Sequence, residues 1–324
     1  MAKPRVLVTS FMLHPGDRVE RYLLDSGVEV VWNPWHGGRT EDEMKEVLQG
    51  IDGAIVSIDP FTPQVLDSAR QLKVISRTGV GYDAINVPAA TERGVAVCTT
   101  PGTNNVAVAE FAFALMIDSA RKLIENHNEV VKGGWTRHQG TDLAGSTLGI
   151  VGLGSIGKEL ARRARAFDMR VLAYDPFQDT AFAEKHDVAY VSLEELLKES
   201  DYVSLHLLLD ATTHHLFDAE RLAMMKPTAY LINCSRGGTV DADALYRALS
   251  ERRIAGAALD VFEREPLEGN SPLRELDNIY FAPHVAGQTA TSALAMGMMA
   301  AENVVKVLRG EKPPFALNAK ELGL

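Results

Sequence analysis

Residues 147–176 decide the fold, and they read TLGIVGLGSIGKELARRARAFDMRVLAYDP. The apolar run from Leu148 to Val151 predicts a short buried strand, and a G-x-G-x-x-G spacing follows it directly. Its three glycines are Gly152, Gly154 and Gly157. From Ile156 to Phe167 the apolar residues recur at helical spacing, and Arg170–Tyr174 returns as a second strand that ends at Asp175. The order of strand, glycine turn, helix and strand predicts a βαβ unit.

The glycine turn has the spacing of a dinucleotide-binding loop. The first glycine allows the tight turn, the second lets the backbone approach a pyrophosphate, and the third lets the helix pack close to the sheet. Asp175 lies 18 residues after Gly157, close to the position of an acid that takes the ribose hydroxyls. A carboxylate there would repel a 2′-phosphate, so we expect NAD rather than NADP. The alternative is a glycine-rich turn that binds no ligand.

Length and charge set the class of protein. The chain has 324 residues, of which 46% are hydrophobic, enough for two domains with separate cores. A net charge of −10 without a basic block argues against a nucleic-acid surface. No window approaches 18 consecutive apolar residues, so we expect no membrane span and a cytoplasmic protein. Cys98 and Cys234 are too few for a disulfide framework and are expected to be buried, reduced thiols.

The first hundred residues alternate between short strands and helices. Such alternation predicts a parallel sheet covered on both faces. Thr40 and Glu43 have the spacing of a capping box at a helix start. The predicted strands are Arg5–Thr9, Val28–Trp32, Ala54–Ile58, Val74–Ser76 and Val95–Cys98, and the predicted helices are Val19–Asp25 and Thr40–Leu48.

The next segment predicts one long buried helix from about Val106 to Gly133, which would connect two domains. After Asp175, strands and helices alternate again, which completes a doubly wound fold. The last helix, Thr289–Arg309, has no strand after it, so we expect it to cross back to the first domain. The further predicted strands are Tyr202–Leu205, Ala229–Asn233, Ala255–Asp260 and Ile279–Phe281, and the predicted helices lie around Leu193–Leu197 and Ala242–Leu249.

Three polar segments follow strands of the second half, where ligands bind in open α/β sheets. They are Asn233–Gly238, Asp260–Pro266 and Ala282–Gly287. Arg236 has the planar fork that holds a carboxylate or carbonyl, and a histidine such as His284 can carry the proton of an alcohol. An acid beside that histidine, such as Glu265, would fix its tautomer. Taken singly, each residue also has an ordinary interpretation: a surface cation, a solvated loop acid and a strand-end histidine.

Together these motifs resemble the D-isomer-specific 2-hydroxyacid dehydrogenases, in particular the phosphoglycerate dehydrogenase and hydroxypyruvate or glyoxylate reductase branch. The resemblance runs from the loop Arg77–Asp83 to His284–Gly287. It implies that Arg236 orients the substrate, that His284 is the catalytic acid/base, and that Glu265 pairs with His284. It also implies NAD-dependent hydride transfer between a D-2-hydroxyacid and its 2-oxoacid.

The resemblance assigns further positions. The backbone of Gly79, Val80 and Gly81 would hold the substrate carboxylate, with Asn104 or Asn105 nearby. The residues implied for the cofactor are Gly152, Gly154, Ser155, Ile156, Gly157, Asp175, His206, Cys234, Asp260 and Gly287. It implies a substrate domain of residues 1–100 with 289–324, flavodoxin-like, and a Rossmann NAD domain of residues 101–288. A cleft between the domains and a homodimer are also expected.

Some positions depart from the family pattern. The family commonly has His-x-Pro-Leu where this chain has His206-Leu207-Leu208-Leu209. Ser57 and Phe61 stand where phosphoglycerate enzymes tend to place an Arg and a Lys for the substrate phosphate, whereas Arg137 does match a position that can reach a neighbouring subunit's site. A phosphoglycerate dehydrogenase-like enzyme thus competes with a reductase of hydroxypyruvate, glyoxylate or a sugar acid. A NAD-sensing corepressor-like binding protein is the alternative from another class.

Other noticeable residues are predicted to be structural. His214-His215 has no carboxylate or cysteine at ligand spacing in the sequence, so we predict no metal site. Met296, Met298 and Met299 are expected to pack the last helix. We assign no role to Trp32, Trp35 and His36, which lie at the end of the second predicted strand and just after it.

Overall fold

The structure is a computed structural model that describes residues 3–35 and 39–324, with Trp35 described by its backbone. His36 lies outside the described residues. The chain forms two compact units. One is Met1–Asn104 together with Gln288–Leu324, and the other is Asn105–Gly287.

The first unit is a five-stranded parallel sheet with helices on both faces. The strand order is β2-β1-β3-β4-β5, which is the flavodoxin-like order. Its elements are β1 Arg5–Ser10, α1 Arg18–Asp25, β2 Glu29–Trp35, α2 Glu41–Val47, β3 Gly53–Val56, α3 Pro63–Ser68, β4 Val74–Arg77, α4 Val87–Glu92 and β5 Ala96–Cys98. The last helix of the chain, Ala290–Leu308, also belongs to this unit.

Local sequence explains where these helices begin. The Thr40 side chain accepts the Glu43 amide and the Glu43 carboxylate accepts the Thr40 amide, which confirms the predicted capping box. Asp17 and Asn86 cap α1 and α4 in the same way through one side-chain oxygen each. The helix Ala290–Leu308 covers one sheet face with buried side chains such as Val304, as expected for a helix that returns to the first sheet.

The second unit is a seven-stranded parallel sheet in the order β12-β11-β10-β9-β6-β7-β8. The chain enters at β6, builds β7 and β8 on one side, and then returns to build β9 to β12 on the other. The elements are α5 Asn105–Arg121, α6 Leu123–Val131, β6 Thr147–Val151, α7 Ser155–Ala166, β7 Arg170–Tyr174, α8 Thr180–His186, β8 Val188–Tyr190, α9 Leu193–Glu199, β9 Tyr202–Leu205, α10 Ala219–Met224, β10 Tyr230–Asn233, α11 Ala242–Ser250, β11 Gly256–Leu259, β12 Ile279–Phe281 and, in the first unit, α12 Ala290–Leu308.

This topology confirms the prediction of two doubly wound parallel-sheet domains. In the second unit, the chain adds strands on one side of β6 and then, from β9 onward, on its other side. The carboxyl ends of the parallel neighbours β6 and β9 therefore form a topological switch point. Short 3-10 helices at Gly237–Thr239 and Pro272–Glu275 follow β10 and precede β12. The core is apolar on both faces, with α5 and α7 on one side and α9 to α11 on the other.

The predicted single helix from Val106 to Gly133 is wrong, because the structure divides it at Lys122. That residue has a left-handed backbone with φ of 56°, which breaks the helical hydrogen bonding between α5 and α6. α5 is largely buried, whereas α6 contains no buried residue. The predicted strand Ala54–Ile58 also ends early, at Val56. Among the described residues, no helix is long and apolar enough to cross a membrane.

Candidate active site

The glycine turn after β6 has a geometry that requires glycine at its first and third positions. Gly152 has φ of 98°, and a Cβ there would meet the His206 carbonyl oxygen at 2.5 Å. A Cβ on Gly157 would lie 2.3 Å from the Gly152 carbonyl oxygen, which explains the close packing of α7 on the turn. Around Gly154, in contrast, no atom lies within 4 Å of such a Cβ. The second glycine therefore leaves open space at the start of α7, where a ligand backbone can approach.

Asp175 stands at the end of β7, beside this turn. Its Oδ2 accepts the Leu153 amide at 2.8 Å, and its Oδ1 accepts the Phe177 amide at 2.8 Å. These two bonds fix the orientation of the carboxylate. They leave further acceptor positions open, because a carboxylate offers about four lone-pair positions. Asp175 can therefore both brace the glycine turn and accept hydroxyl groups from a ligand.

His206 follows β9 and lies against Gly152. Its Nε2 is 3.0 Å from Ser204 Oγ, and burial lowers the pKa of the imidazole to about 4, so that the ring is neutral at pH 7. The Nδ1 atom is buried and has no hydrogen-bond partner among the described residues. Because an orphaned buried polar atom is costly, it indicates a partner that the chain itself does not supply.

These features fit a bound dinucleotide. Gly154 gives access, the exposed Ser155 begins α7 with amides that point toward an anion, and Asp175 offers acceptors for ribose. Cys234 directly follows β10 as a buried thiol, and burial together with the charge of Asp260 raises its pKa well above the ordinary value. A neutral thiol is not a nucleophile, in agreement with the structural role predicted for Cys234.

The catalytic pair predicted from the sequence is formed in the structure. His284 Nδ1 lies 2.7 Å from Glu265 Oε2, although the two residues come from separate loops after β11 and β12. His284 has a left-handed backbone with φ of 56°, a conformation that costs a non-glycine residue on the order of 1–2 kcal/mol. Backbone strain of this kind concentrates at functional sites.

Glu265 is held as a carboxylate. Burial raises its pKa, but the hydrogen bond and charge of His284, the Phe262 amide and the charge of Arg236 together outweigh burial, so that the pKa lies below its ordinary value. The Phe262 amide donates to Oε1 at 3.0 Å, which leaves Oε2 directed at the histidine. An ionised Glu265 fixes the proton of His284 on Nδ1.

Arg236 is placed by the turn after β10. Its carbonyl oxygen accepts the Asn233 side-chain amide at 3.0 Å and the Thr239 hydroxyl at 2.7 Å, while Nη1 donates to the Ser235 carbonyl at 2.9 Å. Its charge acts on Glu265, so the guanidinium belongs to the same electrostatic environment as the catalytic pair. The structure thus brings together the three residues that the sequence proposed for chemistry.

Asp260 has a positioning role that the sequence did not indicate. It is 1% exposed, and its two carboxylate oxygens accept the amides of Val285 at 2.7 Å and Ala286 at 2.9 Å. Its carbonyl oxygen also accepts the His284 amide at 2.8 Å. Burial raises the pKa of Asp260, opposed by these amides and by His284. The strained turn that presents His284 is therefore held by one buried aspartate.

The predicted carboxylate loop follows β4. Gly79 has φ of 143°, and its amide already donates to Thr100 Oγ1 at 2.7 Å. Within residues 3–35 and 39–324, the amides of Val80 and Gly81 have no acceptor. Asn104 Oδ1 is buried and likewise lacks a donor among those residues. These three groups, rather than the Gly79 amide, are without a hydrogen-bond partner in the described part of the chain.

The structure places a carboxylate beside the histidine pair that seemed isolated in the sequence. Glu263 Oε1 lies 2.9 Å from His215 Nε2, and the rings of His214 and His215 are stacked with centroids 3.9 Å apart. The sequence reasoning considered only neighbours along the chain, whereas Glu263 is 48 residues away. The premise that no carboxylate is near these histidines was therefore wrong.

Comparison with known proteins agrees with this site. Residues 113–286 match the D-isomer specific 2-hydroxyacid dehydrogenase, NAD binding domain. A glyoxylate reductase of Korarchaeum cryptofilum is 45% identical over 98% of this chain and 96% of its own length. A D-3-phosphoglycerate dehydrogenase of Methanocaldococcus jannaschii is 42% identical over 87% of this chain, which spans 54% of that longer protein.

Among solved structures, the TT0316 protein from Thermus thermophilus is 38% identical. It covers 97% of this chain, is itself covered to 99%, and has a TM-score of 0.88. Similarity thus extends over nearly the whole of this chain. The chain belongs to the D-isomer specific 2-hydroxyacid dehydrogenase family.

Proposed function

We propose that this NAD-dependent 2-hydroxyacid dehydrogenase acts on a small unphosphorylated substrate such as glyoxylate or hydroxypyruvate. The observation that carries the proposal is the chemistry of positions 57 and 61. Phe61 is fully buried in the core of the first unit, and Ser57 offers a hydroxyl in place of a cation. A doubly charged phosphate needs charge-assisted donors, and neither side chain supplies one. Glyoxylate reductase is also the name of the Korarchaeum relative.

A phosphorylated substrate is the second candidate, because one buried cation borders the carboxylate loop. Arg77 is 9% exposed and its Nε donates to the Ser57 carbonyl at 3.1 Å. A Cβ on Gly79 would lie 1.6 Å from Arg77 Nη1, so the guanidinium packs directly on this glycine. Arg77 could serve either a carboxylate or a phosphate, and the Methanocaldococcus relative bears the name of a phosphoglycerate enzyme.

The chain's own residues account for the proton transfer. The Glu265 bond to His284 Nδ1 makes Nε2 the atom that exchanges a proton with the substrate oxygen. Arg236 polarises the substrate carbonyl and orients the substrate. The hydrogen bonds from Asn233 and Thr239 to its carbonyl oxygen keep the backbone of Arg236 in place. NAD, when bound, would supply or take the hydride. Catalysis then depends mainly on positioning and electrostatics.

We assign the substrate to the first unit and the cofactor to the second. The Val80 and Gly81 amides would bind the substrate carboxylate, because they are donors without an acceptor in the described chain. Asn104 Oδ1 would accept a hydrogen bond from a substrate hydroxyl. A cytoplasmic location is also proposed, supported by two free, buried cysteines.

The deciding experiment measures NADH oxidation with a panel of 2-oxoacids: glyoxylate, hydroxypyruvate, phosphohydroxypyruvate and a sugar-derived oxoacid. We expect the highest kcat/KM for glyoxylate or hydroxypyruvate. A strong preference for phosphohydroxypyruvate would refute the unphosphorylated assignment and would point to Arg77 as the phosphate ligand. Arg77→Ala then tests that role: if the guanidinium binds the phosphate, kcat/KM should fall more for phosphohydroxypyruvate than for hydroxypyruvate.

The acid/base assignment is tested by His284→Ala. The variant should lose about 10²–10⁴-fold in kcat, the usual contribution of a general acid/base. Its circular dichroism and NADH affinity should stay close to those of the unmodified protein. The matched control is His14→Ala, which removes an exposed histidine of the first unit and should leave turnover unchanged. Near-normal turnover in His284→Ala would contradict the assignment.

We further propose a homodimer in which α6 is covered by a second copy. The exposed fractions of the apolar side chains here are high for a water-facing helix: Leu123 55%, Ile124 49%, Val130 57%, Val131 69% and, just beyond the helix, Trp135 76%. Contiguous apolar surface of this kind marks an interaction site. Val131→Lys should convert the dimer to monomer in analytical ultracentrifugation, and an unmodified protein that sediments as a monomer would refute the proposal.

A further inference from the structure

A cluster of metal-ligating side chains lies outside the catalytic site, in the loops that follow β9 and β11. His214, His215 and Glu263 each offer one ligand atom, and these atoms all lie within 4.8 Å of one another. Two imidazoles and one carboxylate form a ligand set that zinc and related divalent ions accept, usually with water in the fourth position. We propose that His214, His215 and Glu263 form a binding site for a divalent transition metal ion such as Zn²⁺.

Backbone geometry explains why two consecutive histidines can serve one ion. Side chains of neighbouring residues in extended chain point to opposite sides. Here His215 has a left-handed backbone with φ of 49°, and the two rings stack with an interplanar angle of 25°. The His215 amide donates to the Gly238 carbonyl at 2.8 Å, which anchors the turn to the segment that follows Arg236. This turn therefore places both imidazoles on the same side of the chain.

The distances require only a small adjustment for an ion to enter. Ligand atoms about 2.0–2.1 Å from a tetrahedral zinc lie about 3.4 Å from each other. His215 Nε2 and Glu263 Oε1 are 2.9 Å apart and need to separate slightly, while the third atom needs to approach from at most 4.8 Å. His214 and Glu263 are exposed, so rotation about their side-chain bonds can provide this.

Electrostatics and access also favour a cation. The nearest basic side chain in sequence, Arg264, donates to Glu268 at 3.0 Å and so is paired elsewhere. His215 and Glu263 line a cavity of about 770 Å³ within the second unit, which gives water and ions a route. When the ion binds, bonds from His215 and Glu263 to the metal take the place of the hydrogen bond between them.

The site connects to the catalytic segment through the chain. Glu263 lies two residues before Glu265, and the Phe262 amide between β11 and Glu263 donates to Glu265 Oε1 at 3.0 Å. Gly237 packs so closely on the Phe262 carbonyl that a Cβ there would come within 2.2 Å of its oxygen. An ion held by both loops would therefore restrain the segment that carries Glu265.

The test uses the full chain, first stripped with EDTA and then titrated with Zn²⁺ by calorimetry without NAD or substrate, so that it is independent of the proposed activity. We expect one site per chain, weakened about tenfold or more in each of His214→Ala, His215→Ala and Glu263→Gln. Two control variants should keep the site: His14→Ala, and His284→Ala, which separates this site from the His284–Glu265 pair.

A second readout follows the restraint itself. Hydrogen exchange of the amides in residues 262–265 should slow when Zn²⁺ is added, and should not respond in His215→Ala. The proposal is overturned by the lack of a saturable site in the unmodified chain, or by a site that survives in both His215→Ala and Glu263→Gln. Loss of the site in His284→Ala alone would also overturn it, since the ion would then occupy the catalytic pair.

Discussion

Replacing Asp260 by asparagine should damage catalysis from a position that the sequence did not connect to His284. Asparagine has nearly the same shape, but only one of its two terminal atoms is an acceptor. Of the Val285 and Ala286 amides, one would then face an NH₂ group and lose its bond of 2.7 or 2.9 Å. The strained His284 backbone, with φ of 56°, depends on these bonds.

The magnitude follows from the lost bond. A buried amide without an acceptor costs about 1–3 kcal/mol. If this energy holds His284 in its reactive geometry, kcat should fall about 5- to 150-fold, because each 1.36 kcal/mol corresponds to a tenfold change in rate. The backbone bond from His284 to the Asp260 carbonyl persists in the variant, so the segment should remain folded.

The assay is steady-state kinetics with the preferred 2-oxoacid, together with hydrogen exchange of amides 285 and 286, which should become faster. Asp277→Asn is the matched control, because Asp277 is an exposed aspartate bonded to Arg252. Its stability should change by less than about 0.5 kcal/mol, with turnover unaffected. If Asp260→Asn keeps both normal kcat and normal exchange at these amides, the positioning role is refuted.

Three further predictions concern Glu265, the specificity for the cofactor and the glycine turn. The lowered pKa of Glu265 stabilises the fold above the ordinary glutamate value of 4.5, and this stabilisation is lost as the pH falls through the folded value. Glu265→Gln should therefore flatten the acid limb of unfolding free energy against pH, and an unchanged limb would contradict the assignment. Asp175→Asn keeps an acceptor for the Leu153 amide but removes the negative charge. The ratio of kcat/KM for NADPH to kcat/KM for NADH should therefore rise on the order of tenfold. An unchanged ratio would mean that Asp175 does not select the cofactor. Gly157→Ala should lower Tm, since its Cβ would lie 2.3 Å from a carbonyl oxygen. The Cβ of Gly154→Ala meets no atom within 4 Å, so this variant should keep its Tm but bind NADH less tightly in fluorescence titration. Equal Tm values for the two variants would refute this contrast.

Local sequence patterns predicted much of the fold because the interactions behind them join residues that are close in the chain. The capping box at Thr40 and Glu43 depends on residues three positions apart, and it forms as predicted. The G-x-G-x-x-G turn depends on backbone freedom that only glycine has, so its strand, turn and helix could be read directly from residues 147–166. By contrast, apolar spacing alone could not reveal the break at Lys122, because the same pattern continues on both sides of it.

The sequence by itself determined the two doubly wound sheets, the dinucleotide turn and the three residues of the chemistry, since each follows from local spacing or from family motifs. Only the tertiary structure decided which groups surround them. Asp260 reaches amides 25 and 26 residues away, and Glu263 reaches a histidine 48 residues away. Such contacts depend on which strand ends and loops lie next to each other in the folded sheet, and the spacing of residues within one chain segment does not reveal this.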